Sequence, residues 1–449
     1  MPATIRVFRT VKSTNDRLSE KDPLAFQTLP SDLPSVLVDS GHRFQTIVGF
    51  GGALTEAAAD TFYKMSPEVR AEILRAYFDL SNGNGYTLCR THINSCDFSL
   101  GNYAYTEMPG DVELEHFSIE HDRRHLIPMI KETARAAGSP LKILATPWSP
   151  PAWMKTNGQM NNGGKLKPEY REAWARYFVR YVQEYEREGV PIWGISVQNE
   201  PQAVQMWESC IYTCEEERDF VRDYLGPVLE KAGLLSRVKI LIWDHNRDLL
   251  YERAKVVYDD SQAARYIWGA AFHWYVGDNY ENVRLTHDAY PEKQLLFTEG
   301  CVENRLHFDG WEVGERYGHS MLQDLNNWTA GWMDWNLLLD QRGGPNHKGN
   351  YCNAPLMADV GKGTLHYQSS YYYIGQVTRF VRPGAQRIIS ASTLDDLETM
   401  AFVNVDGQIA VVVLNRTEKS YIFALKYNGL AALAESPAHS ISTFRFQAG

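Results

Sequence analysis

The chain has 449 residues, 44% of them hydrophobic and 22% charged, ordinary globular usage with length for two or three domains or one large α/β barrel. A formal net charge of −10 argues against a nucleic-acid partner or an anionic membrane surface. The six cysteines are scattered and form no disulfide framework, so reduced thiols are expected, while 12 Trp and 25 Tyr exceed what a core needs and suit the apolar C–H faces of sugar rings.

The N-terminus, MPATIRVFRTVKSTNDRLSE, lacks the continuous apolar core of a secretory leader, and no stretch reaches the 18 or so apolar residues of a membrane span. The expectation is a cytoplasmic protein without integral membrane insertion, unless a leader was removed beforehand. From about 45 to 375, strand-like and helix-like stretches alternate. The strand candidates are TIVGFGG (46–52), YTLCRTHI (86–93), LKILATPW (141–148), IWGISVQN (192–199), VKILIWDHN (238–246), YIWGAAFHWY (266–275), QLLFTEG (294–300) and AGWMDWNLLL (330–339). Amphipathic stretches at 67–78, 121–138 and 168–189 lie between them, the last with an aromatic stripe at helical spacing. Eight β-then-α units predict a closed (β/α)8 barrel rather than a doubly wound sheet, because no GxGxxG opens a helix. GFGG (49–52) reads instead as room for close backbone approach.

After 375 the pattern changes to short strands at 379–383, 386–390, 398–405, 408–415, 420–427 and 439–446, punctuated by Asp406-Gly407 and Asn428-Gly429. This predicts a small antiparallel β-sandwich over 376–449. Residues 1–44 would contribute to it through TIRVFRT (4–10), leaving 45–375 as the barrel. Cys210 and Cys214 lack a second ligand pair, and His121 and His125 read as a solvated helix start. No metal or organic cofactor is expected.

Barrels of this kind present chemistry at the C-terminal ends of their strands. Those ends carry Arg90 and Asp97 after the second strand, Trp148 after the third, and Asn199 and Glu200 after the fourth. His273, Trp274 and Tyr275 follow the sixth, Glu299 the seventh, and Asp334, Trp335 and Asn336 the eighth. Pro201 stops the fourth strand and fixes Glu200 at its edge. Glu200 and Glu299 can therefore face one another across the barrel mouth, the pair glycoside cleavage needs. About 5–5.5 Å between them means retention through a covalent intermediate, and 6.5–9.5 Å means inversion.

The segments FQTIVGFGGALTEAAA, CRTHINSCDFS, TPWSPPAWMKTNG, SVQNEP, FHWY, LLFTEG and GWMDWNLLLD resemble those of glycoside hydrolase family 30. By that resemblance Glu200 is the acid/base and Glu299 the nucleophile, with Asn199 on the sugar 2-hydroxyl. Asp97 and Trp148 would hold hydroxyls at the far side of the ring, and Trp335 would form part of the platform. Turn capping for Asp97, core filling for Trp148 and barrel packing for Trp335 are the competing roles. Arg90, His273 and Tyr275 resemble residues around the nucleophile, which they would keep ionised while Glu200 holds a proton; core or ion-pair roles compete for Arg90 and His273. The resemblance implies a retaining exo-β-glycosidase acting on a β-glucoside or glycolipid, glucosylceramide among them. The alternatives are an endo-β-1,6-glucanase, β-xylosidase or β-fucosidase of the same family, or a carbohydrate-binding barrel without turnover. The loops QAVQMWESCIYTC and DQRGGPNHKGNYCNAP would shape the leaving-group side.

Overall fold

A computed structural model describes residues 4–28, 32–302 and 310–448. Eight parallel strands close into a barrel: β1 (Gly49–Ala53), β2 (Leu88–Ile93), β3 (Lys142–Pro147), β4 (Ile192–Ser196), β5 (Lys239–Asn246), β6 (Ile267–His273), β7 (Gln294–Glu299) and β8 (Thr329–Asn336). Each predicted strand is one of these eight. The eighth is shorter than expected: the chain breaks after Asn336, and Leu338–Asp340 joins a separate small sheet with Leu356–Asp359 and Thr364–Tyr367. A layer of Leu88, Leu144, Leu241, Leu296 and Met333 fills the lumen, so the barrel interior is a packed core.

The helices follow their sequence signals. Pro67–Phe78 starts on Ser66, whose side chain accepts the Val69 N–H, with Pro67 at the first helical position. In the helix Arg171–Arg187, Trp174, Tyr177, Phe178, Tyr181, Val182 and Tyr185 are all fully buried. The helix expected from 121 starts only at Leu126. Asp122 is drawn inward instead, accepting the hydroxyls of Tyr103, Tyr105 and Tyr185 at 2.8, 2.6 and 2.6 Å, which holds 121–125 as a turn.

GFGG is explained by strand packing. A Cβ on Gly51 would stand 1.7 Å from the Leu88 carbonyl oxygen of the neighbouring strand, so the two backbones meet at a distance only glycine allows. Gly51→Ala should cost about 3 kcal/mol or more, a strongly overpacked core change, read as a lower denaturation midpoint in urea.

The remaining strands form one nine-stranded sheet in the order 430–436, 421–427, 35–46, 386–392, 397–403, 408–415, 440–447, 4–11 and 19–25. TIRVFRT does return to the C-terminal strands, pairing antiparallel with Ser440–Gln447. Beyond the last strand, Gln27 bridges Ala431 in the first, so the sheet rolls round on itself about its own core of Ile5, Val36, Val411, Phe423 and Phe444. The expected strand at 379–383 is a turn. Arg379 and Arg382 there donate to carbonyls of Gly83, Gly85 and Thr378, finishing the helix Ser369–Thr378, and Pro383 removes a ladder donor. Leu430–Ser436 looks helical by composition but is a strand, because Asn428 and Gly429, both at positive φ, turn it back as a hairpin. No helix among the described residues is long and apolar enough to cross a membrane.

Candidate active site

The strand ends are irregular where they carry polar groups. Trp243 and Asp244 on β5 both adopt left-handed backbone, at φ 71° and 49°, and the pairing with β6 slips between Trp243 and His245. Such non-glycine conformations cost on the order of 1–3 kcal/mol each and persist where surrounding contacts over-determine them. Here the bulge turns the Asp244 carboxylate toward the barrel axis. Glu200, just past β4, is also left-handed at φ 46°, with its N–H on the Asp244 carbonyl at 3.0 Å. A register slip between Phe297 and Glu299 aims the second carboxylate from β7.

Asp244 organises the floor. It accepts from Arg90, Thr146 and Ser196 on one oxygen, at 2.9, 3.1 and 2.5 Å, and meets His273 and Thr298 on the other, at 3.1 and 2.6 Å. Burial alone would raise its pKa, but Arg90 and His273 hold it far below the ordinary carboxylate range. Arg90 in turn donates to Asn199 Oδ1 at 2.7 Å and to Glu299 Oε2. Tyr275 donates its hydroxyl to the other Glu299 oxygen at 3.0 Å, and its own N–H is held by Asn246 at 2.7 Å. Among the described residues, Glu200 meets a single side-chain partner, His273 Nδ1 at 3.3 Å. One carboxylate oxygen from each glutamate and one ring nitrogen of His273 lie within 4.8 Å of one another.

That trio does not fit a divalent cation. Both His273 nitrogens already face carboxylates, and the Arg90 guanidinium beside Glu299 already supplies the positive charge. It suits a proton. Burial works against a charged imidazole, but Glu299 and the bonds to Asp244 and Glu200 hold His273 up at about 9. Burial likewise pushes Glu299 up, with the Glu200 charge adding to it, and Arg90 and His273 offset only part. For Glu200, burial is outweighed by the His273 bond and the His245 and Arg90 charges, which bring it below its ordinary value. The two acids are thus shifted in opposite directions, Glu299 up and Glu200 down, with His273 bonded to Glu200 while its charge also acts on Glu299.

A raised imidazole stabilises the fold fully below its ordinary value of 6.5 and loses that contribution as pH rises through about 9. Asp97 and Asp334, both pushed up to about 8 chiefly by burial, act in the same sense. The melting temperature should fall between pH 6.5 and 9, and His273→Gln should flatten that slope. Parallel curves for the variant and the parent would remove His273 as its source.

Asp97, Trp148, Asn199, Glu200, Tyr275, Glu299 and Trp335 line one cleft of about 230 Å³. Arg90 and His273, expected around the nucleophile, do not line it; both are fully buried and act from beneath on the carboxyls. Trp148 and Trp335 stack at 5.2 Å between centroids and cover the Arg90 guanidinium, 4.7 and 5.5 Å away. Both tryptophans thus pack and present a face at once. Asp97 Oδ2 accepts from Asn346 and Asn350 at 3.1 Å each, which ties the rim loop after β8 to the cleft. Asp334 and Asn336 turn away, bonding Tyr317 and Thr55 at 2.7 and 2.5 Å. Asp244 and Asn246 are functional groups beyond those expected at the strand ends. The signal was the polar run DHN ending the fifth strand, of the same kind that marks the other rims.

Opposed carboxyls in a cleft at the C-terminal mouth of a parallel barrel, with a sheet domain fastened alongside, are the architecture of a TIM-barrel glycoside hydrolase. The model of the glycosyl hydrolase family 30 TIM-barrel domain matches residues 47–381, and that of the family's beta sandwich domain matches 384–444. The chain belongs to glycoside hydrolase family 30. It is 35% identical over 421 residues to the lysosomal acid glucosylceramidase of Mus musculus, covering 90% of this chain and 81% of that one. It is 30% identical to an endo-1,6-beta-D-glucanase of Neurospora crassa, over 83% of this chain and 79% of the other. Among solved structures, SrfJ from Salmonella typhimurium superposes with a TM-score of 0.94 at 39% identity, over 99% of this chain and all of that one. The endo-beta1,6-glucanase BT3312 does so at 0.90 and 30% identity, over 99% of both.

Proposed function

We propose that the protein is a retaining exo-β-glucosidase, with Glu299 as nucleophile and Glu200 as acid/base. The observation that carries this is that one oxygen of each carboxylate lies within 4.8 Å of the other, which suits the close pair of a retaining enzyme better than the 6.5–9.5 Å that leaves room for an attacking water. The roles follow from how each acid is held. Glu299 has a donor on each oxygen, Arg90 on one and Tyr275 on the other, which orients it for attack. Glu200 has one partner and a more accessible side chain, 13% against 8%, which suits proton exchange with leaving group and water. The proton the coupled pair shares must sit on Glu200 when the glycosidic bond breaks. Positive charge developing on the sugar favours that order, because it stabilises an ionised Glu299.

The wall supports a glucose-type ring. Asp97, fixed by two asparagines, and the Trp148–Trp335 stack close one end of a space smaller than the roughly 300–1,000 Å³ of drug-sized sites. So small a space suits a terminal residue with its 6-hydroxymethyl group better than a chain running through. On the exit side, Val204 and Met206 are 67% and 61% exposed and flank the cleft residues Gln205 and Trp207, an apolar lip suited to a lipid-like aglycone such as that of glucosylceramide. The test is relative kcat/KM on nitrophenyl β-glucoside, xyloside and fucoside, glucosylceramide in mixed micelles and a β-1,6-glucan, with the first-formed anomer read by NMR. The expected result is a preference for glucosides and a β-configured first product. An α-configured product or fastest turnover of internal glucan linkages would reject this reading.

A further inference from the structure

The loop after β4 buries a carboxylate that the chemistry above does not use. Glu208 is 1% exposed. Its Oε1 accepts the Ser95 hydroxyl at 2.5 Å and the Asn102 amide at 2.7 Å, both from the loop after β2. Its backbone bridges to Asn161, from the loop after β3. Its Oε2 faces Nε2 of His347, from the loop after β8, at 3.5 Å. His347 is already fixed: its N–H reaches the Asp97 carbonyl, and its Nδ1 reaches the Ser99 carbonyl, each at 3.2 Å. A carbonyl only accepts, so Nδ1 carries a proton and Nε2 is the nitrogen turned to Glu208. Among the described residues, Glu208 Oε2 and His347 Nε2 are both buried and have no hydrogen-bond partner. An orphaned pair of this kind is expensive unless its two members serve each other.

We infer that Glu208, through His347, is a positioning residue that locks the four rim loops around the sugar. The loop after β8 that His347 anchors also carries Asn346 and Asn350, the groups that orient Asp97. The loop after β4 carries Gln205 and Trp207 beside Glu208 itself. Neither Glu208 nor His347 lines the cleft, so their effect is on how tightly the ring is held rather than on bond cleavage. The reactivity of the carboxylate pair belongs to the floor built on Asp244. The inference rests on the glycosidase reading for its substrate, and its test is arranged to separate the two.

Glu208→Ala and His347→Ala in the full chain should each raise KM for nitrophenyl β-glucoside about tenfold and leave kcat within about twofold. The double variant should be no worse than the poorer single, since both remove one link. Glu208→Gln should restore KM, because its amide oxygen still accepts from Ser95 and Asn102 while its NH₂ donates to His347 Nε2. Affinity for 1-deoxynojirimycin by calorimetry should follow the same pattern, independently of turnover. If Glu208→Ala does not fold, His347→Ala and Ser95→Ala carry the test. Losses that multiply, losses in kcat alone, or Glu208→Gln no better than Glu208→Ala would overturn the inference. A parent enzyme that binds the iminosugar but hydrolyses no glycoside would instead overturn the functional reading, and the binding series would still decide the role of Glu208.

Discussion

Glu299→Gln is expected to abolish hydrolysis of every β-glycoside, with a fall in kcat of at least about 10⁴-fold, the scale seen when a nucleophile is removed from a group of residues that act as a unit. An amide oxygen is too weak a nucleophile to capture the anomeric carbon, and no other carboxylate can take its place: Asp97 is held by Asn346 and Asn350, and Asp244 is fully buried beneath the cleft. The fold should survive. Arg90 keeps its bonds to Asp244 and Asn199, and the amide oxygen can still accept from Arg90 or Tyr275. The variant should therefore melt within a few degrees of the parent and still bind a glucose-configured iminosugar. Glu299→Ala opens space on the same face of the sugar, and azide added at high concentration should occupy it and yield the α-glucosyl azide. A β-glucosyl azide from this variant would show that attack comes from the other side and would transfer the nucleophile's role away from Glu299.

What the sequence made legible follows from which physical signals are local. Eight apolar runs ending in polar or aromatic residues state the barrel and its mouth, and Pro201 after Glu200 and Gly300 after Glu299 mark where two carboxyls leave their strands. Pairing with residues distant in the chain is not local. Asp244 acquires its place from Trp243 and itself taking left-handed backbone, and nothing in the string WDHN announces that conformation. The direction of His273 was likewise invisible. A histidine ending a strand next to two glutamates could bond either, and here its Nδ1 meets Glu200 at 3.3 Å. The strands 19–25, 35–46 and 430–436 were passed over for a related reason. The first is mostly polar and the last alanine-rich, and each is a strand only because a partner completes its ladder. Glu208 belongs here too: its importance lies in being buried among four loops, whereas its sequence neighbours, Trp207 and Ser209, suggest an exposed turn.

Glu200→Gln should divide substrates by their leaving groups. A glycosidic oxygen departing as an ordinary alkoxide, as from an alkyl glucoside or glucosylceramide, needs a proton in the transition state, and general acid help of this kind is worth about 10²–10⁴-fold. Dinitrophenolate needs almost none. The variant should therefore lose about 10²–10⁴-fold in kcat/KM on an alkyl glucoside and less than about tenfold on the dinitrophenyl glucoside, for which the glycosyl-enzyme should accumulate as a burst because its hydrolysis now lacks a base. Azide needs no base, so with Glu200→Ala it should accelerate turnover of the dinitrophenyl substrate and give the β-glucosyl azide, the mirror of the product expected from Glu299→Ala. The pH profile supplies the remaining constraint. The parent should lose activity as the acid form of the shared pair titrates away, and the alkaline limb should vanish for the dinitrophenyl substrate in the Glu200 variant. Equal losses on good and poor leaving groups, with no burst, would mean that Glu200 is not the proton donor.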